Sequence, residues 1–125
     1  MPKARTRFER GEQFVRWAEN NWPCGRPIDV KWVDGIYDDD GVEDKDCYGQ
    51  TYRLGGRIII EIKKIKCREC IMSTLRHEFA HAYLWGHYKA ENYVEHHPGH
   101  LGTLIWEIEL LWNEIGWEEA NEYGF

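Results

Sequence analysis

The chain has 125 residues, a length that suits one domain with a modest core and leaves little room for two. Aromatic residues make up 14%, seven of them tryptophan, and charged residues 30%, which argues against a disordered chain and for a globular one. The formal charge of −6 speaks against tight, sequence-independent binding to nucleic acid, which relies on a basic face.

Basic residues cluster at the start, Lys3, Arg5, Arg7, Arg10 and Arg16, interleaved with Phe8, Phe14, Val15, Trp17 and Ala18 at helical spacing. That period predicts a first helix over about residues 5 to 20, packed through its apolar face, with a solvated basic side rather than a nucleic-acid contact. No apolar run follows the basic residues and no stretch approaches the length of a membrane span, so a cytoplasmic protein without signal or anchor is expected.

The turn-rich "NNWPCGRP" ends the helix. "IDVKWVD", Ile28 to Asp34, alternates like a strand, and "YDDDGVEDKD" follows as an acidic loop. Its acids lack the twelfth-position glutamate of a calcium loop, which leaves a solvated surface as the expectation. "YGQTYRL" and "RIIIEI" flank Gly55-Gly56, a pair suited to a tight hairpin, so a short antiparallel sheet is predicted. Two helices then follow, over about Cys70 to Tyr88 and Pro98 to Ile115, before a polar tail. The fold class is α+β, a single domain over residues 1–125.

Four cysteines, Cys24, Cys47, Cys67 and Cys70, are too few and too unevenly spaced for a secreted disulfide framework. Cys67-x-x-Cys70 reads as a pair of reduced thiols near a helix start, with a second metal site as the alternative. A redox role would want a βαβ setting of the thioredoxin kind, which the sequence does not predict.

The chemistry concentrates in "LRHEFAHAYLWGH", Leu75 to His87. Four residues turn a helix through about 400°, so His77 and His81 project the same way one turn apart and can hold one ion. Glu78 points about 100° aside, better placed to take a proton from water at the metal than to bind the metal. Ile71, Met72, Leu75, Phe79, Ala82 and Tyr83 fall on the other side of the wheel and give the helix a face to bury.

A zinc site that keeps one position open needs a third protein ligand. His87 lies ten residues after His77, but the spacing that would use it needs glycine where Leu84 stands. On the next helix, Leu101, Leu104, Ile105, Ile108, Leu111, Trp112 and Ile115 form an inward stripe. Projected back, His97 falls within about 20° of the stripe's centre, His100 about 80° off and His96 about 120° off. His97 is the expected third ligand and His100 the alternative.

"LRHEFAHAYLW" followed by "HHPGHLGTLIWEI" resembles the SprT-like metallopeptidases, whose H-E-x-x-H helix is followed by a helix opening with a third histidine and, four residues on, a bulky apolar residue. His97 with Leu101 and His100 with Leu104 both satisfy that spacing. The resemblance extends over most of the chain and implies a small zincin-like domain, Zn2+, and hydrolysis of peptide bonds in a peptide or protein substrate. In this chain the glycine usual after the third histidine is replaced by Pro98 or Leu101. The zinc ribbon or DNA-binding extension of many family members is not seen here, so their DNA-bound substrates are not carried over. A zinc-stabilised, non-catalytic binding module is the competing expectation, and Glu78 weighs against it, because a purely structural site gains nothing from an acid beside its first ligand.

Overall fold

The computed structural model describes residues 6–87 and 98–123, the helical residues 85–87 and 98–100 by their backbone alone. Helix α1 spans Arg7–Asn21, and strand β1 Ile28–Val33. Strands β2 (Gly49–Leu54) and β3 (Arg57–Lys63) follow, then helices α2 (Arg68–His87) and α3 (Pro98–Leu111). The α+β class is as the sequence predicts. Among the described residues no helix is long and apolar enough to cross a membrane.

Thr6 starts α1 through a capping box: its hydroxyl accepts the Glu9 amide while the Glu9 carboxylate accepts the Thr6 amide. The basic residues of this helix are not merely solvated, as the sequence suggested. Arg7 donates to the Ile65 carbonyl, Arg10 to the Trp117 carbonyl and Asn121, and Arg16 to the Ile28 carbonyl. Each guanidinium thus satisfies a carbonyl left over by another element, which a planar fork of donors suits better than an ammonium.

The sheet is mixed rather than antiparallel throughout. β2 and β3 form the expected hairpin, with Gly55 at φ +63° in its loop. β1 joins β3 on the opposite side in parallel, pairing Ile28 with Ile58, so the order is β1-β3-β2. The central strand explains this: Ile58, Ile59, Ile60 and Ile62, interrupted only by half-buried Glu61, are all at most 2% exposed, a mostly apolar strand that calls for partners on both edges.

Helix α2 lies at the middle of the fold, against β2 and β3 on one side and α1 and α3 on the other. Ile71, Leu75, Phe79 and Ala82 are completely buried, while Met72 and Tyr83 pack at the margin of the core. Phe14 of α1 meets Phe79 and Trp112 edge-on, and Trp17 meets Trp22 and Trp112 likewise. Such tilted aromatic pairs add roughly 0.5–1.5 kcal/mol each beyond the area they bury.

The end of the chain departs from the predicted polar tail. α3 runs into a π-helical turn, Trp112–Gly116, whose extra residue shifts the buried stripe. Ile108 and Trp112 stay inside, but the next inward position falls to Gly116, leaving Ile115 37% exposed. A Cβ at Gly116 would overlap the Trp17 indole, so only glycine lets the turn approach α1 so closely. Two further short turns, Trp117–Glu119 and Ala120–Glu122, are clasped by α1. The buried Gln13 amide donates to the Tyr123 carbonyl and the Trp17 indole to Glu119.

Candidate metal centre

Among the described residues, one group has the composition and closeness to hold a metal ion: His77, Glu78 and His81, with ligand atoms all within 4.8 Å of one another. The two Nε2 atoms face each other at 2.9 Å, close to the roughly 3.3 Å that separates two nitrogens bound to one tetrahedral zinc. The donor set therefore fits a borderline ion such as zinc, although the group by itself does not fix which metal.

Burial differs sharply along this single turn. His77 is exposed, His81 half-buried, and Glu78 only 7% exposed. Burial, with His77 as a smaller influence, pushes His81 down to about 4, so at ordinary pH its imidazole is neutral, the form that ligates a metal. Burial raises Glu78 above the usual carboxylate range, opposed by the Thr51 hydroxyl and by His77. A carboxylate with raised proton affinity is a better base near neutral pH than an exposed one.

Glu78 owes its surroundings to β2. The Thr51 hydroxyl lies 2.8 Å from Glu78 Oε1 and 3.1 Å from the Glu78 carbonyl, within donating reach of both. Gly49, two residues earlier and hence on the same face of the strand, lets β2 lie this close. A Cβ there would come within 2.7 Å of Thr74 Cγ2 and 3.1 Å of Glu78 Cγ. Sequence reasoning missed both residues. Gly49 and Thr51 look like ordinary members of a hairpin strand, and nothing local says which face meets α2.

An open cleft of about 360 Å³ leads to the site, lined by Asp46, Cys47, Ser73, Thr74, His77 and Glu78 among others. A hollow of about 390 Å³ beside Arg68, Met72 and Trp112 contains no histidine and lies away from this chemistry. The acidic loop supplies no comparable metal group. Asp38 Oδ1 accepts the amides of Asp40 and Val42, and Asp44 Oδ1 that of Asp46, so two of its acids shape turns.

His97, the expected third ligand, lies outside the described residues. His100 stands in the first turn of α3, described by its backbone alone. α3 packs against α2, the helix that bears His77 and His81.

The cysteines do not form a second metal cluster among the described residues. Cys24 is buried and Cys47 half-buried, both free, with the Cys47 thiol donating to the Gly49 carbonyl. Cys67 and Cys70 are joined as a disulfide, which corrects the expectation of reduced thiols. The physical reason is local: the turn that opens α2 brings their Cα atoms to 5.2 Å, within bridging distance.

No protein-family model, curated protein or solved structure matches the chain.

Proposed function

We propose that this chain is a zinc metallopeptidase of the H-E-x-x-H type, similar in its active helix to the SprT-like enzymes. The observation that carries the reading is the combination of two facing imidazoles with a buried acid held beside them by a neighbouring strand. A group meant only to tie helices together has no use for that acid.

His77 and His81 would hold the ion, with His97 or His100 completing the set. Bound zinc supplies Lewis acidity, acidifying water and polarising a carbonyl. Glu78 would accept a proton from the attacking water at its carboxylate and hand it to the departing amine. Thr51 would keep one carboxylate oxygen fixed while the other works. Among the described residues no strand pairs with the outer edge of β2, so an extended peptide could lie along it and bring a carbonyl to the cleft.

The test is zinc content and peptide hydrolysis in parallel. Wild-type chain should carry about one zinc, His77→Ala should lose it, and Glu78→Gln should keep it while activity falls about 10²- to 10⁴-fold. Undiminished cleavage by zinc-loaded Glu78→Gln would sink the mechanism. Replacing His97 and His100 singly by alanine identifies the third ligand by which variant loses zinc.

A further inference from the structure

The Cys67–Cys70 pair lies outside the metal chemistry, and its setting differs from that of the other two thiols. Both residues are exposed, at the corner where the chain leaves the central strand β3 and enters α2. The strand-then-helix corner is the one the sequence predicts, and among the described residues no further strand follows α2 to make a thioredoxin-like βαβ unit. The corner is fixed from several directions. Arg7 donates to the Ile65 carbonyl at 2.8 Å, and the Lys64 amide donates to the Val33 carbonyl at 2.8 Å. Cys67 stands immediately before the first residue of the helix, and its Sγ accepts the backbone N–H of Cys70 at 3.2 Å.

We infer that Cys67 and Cys70 form an exchange-active dithiol/disulfide site for small thiols and disulfides of the glutathione kind, with Cys67 as the attacking sulfur. The amide groups of the first turn of a 20-residue helix, which have no partner inside the helix, favour negative charge on the sulfur at its start. Cys70 receives no amide of that kind in the observed contacts; its carbonyl instead accepts the Thr74 hydroxyl at 2.7 Å. Lys66, beside Cys67 and exposed, suits a small thiol that carries carboxylates.

The exchange balances without any further cofactor. The Cys67 thiolate attacks one sulfur of the small disulfide, forms a mixed disulfide and expels one thiolate, which takes a proton from solvent. Cys70 then loses its proton, attacks Cys67 Sγ, closes the Cys67–Cys70 bond and expels the second thiolate. Two electrons pass from the dithiol to the small disulfide, and excess small thiol drives the same steps in reverse. Cys24 is unsuited to this role, since burial pushes its thiol up to about 12.

The experiment equilibrates the full native chain with glutathione buffers of stepped reduced-to-oxidised ratio, quenches with acid, alkylates and reads each cysteine by mass spectrometry. Cys67 and Cys70 should change together within that range while Cys24 does not respond. Two outcomes overturn the site: thiols that remain alkylatable under fully oxidised glutathione, or a bridge that excess reduced glutathione opens only after denaturation. Single variants test the assignment of roles. Cys70→Ser should trap glutathione on Cys67 at least about three-fold faster than Cys67→Ser traps it on Cys70, since the helix-start sulfur is the more readily ionised. Equal rates would remove Cys67 as the attacking sulfur.

Discussion

The start and the middle of α2 carry two pairs of metal- and redox-competent side chains, three and four residues apart, and they differ in what surrounds them. His77 and His81 sit beside a buried acid whose position depends on β2, and their chemistry is made by tertiary packing. Cys67 and Cys70 lie exposed at the helix start, where the backbone of the first turn supplies the favourable field. A helix brings such pairs together at its start and in its middle alike; burial decides whether the result is two imidazoles beside a buried acid or an open pair of sulfurs.

Disturbing β2 should damage the histidine site alone. Thr51→Val keeps the shape of the side chain but removes a hydrogen bond to a charged group worth about 1.5–3 kcal/mol. Peptide hydrolysis should fall roughly 10- to 100-fold in kcat with KM and zinc content little changed, and Thr51→Ser should restore most of it. A loss confined to KM would instead make Thr51 a substrate contact.

Gly49→Val acts on the same seam through volume. Its Cβ meets Thr74, Glu61 and Glu78 too closely to be accommodated without movement. Overpacking of this kind costs about 1–3 kcal/mol, read as a lower midpoint in urea unfolding. An unchanged midpoint would mean that β2 can move away freely and does not hold Glu78.

At the cysteine end, replacing both Cys67 and Cys70 by serine removes only a short loop constraint. Stability should fall by up to about 2 kcal/mol while zinc content stays the same. Loss of zinc in that variant would show that the two pairs are coupled along the helix.

A further effect concerns pH. His81 is depressed in the folded chain from 6.5 to about 4, so the folded state binds its proton less readily than the unfolded one. That contribution is whole above the unfolded value and is lost as pH falls from about 6.5 towards about 4. The metal-free chain should lose more Tm over this interval than His81→Gln does. Parallel curves for the two would take burial of His81 out of the account.

Much of this molecule is legible in its sequence because the relevant physics is local. The spacing of His77 and His81 puts them on one face of any α-helix, and the apolar positions from Ile71 to Ala82 fix which face is buried. Gly55-Gly56 announces the hairpin, and the interruption at "NNWPCGRP" ends α1. These features need only a helical or strand period and the steric freedom of glycine. The exposed acids of the loop after β1 likewise need no partner to be read as a surface.

What the tertiary structure alone decided involves partners far apart in the chain. Thr51 reaches Glu78 across 27 residues, and Gln13 reaches Tyr123 across 110. The parallel pairing of β1 with β3, the carbonyls taken up by Arg7, Arg10 and Arg16, and the register shift that exchanges Ile115 for Gly116 are of the same kind. A period can say that a residue faces inward; which atom it meets there depends on the approach of another element. The sequence therefore determined where a metal could be held, and packing determined that an acid beside it is buried and held by a hydroxyl.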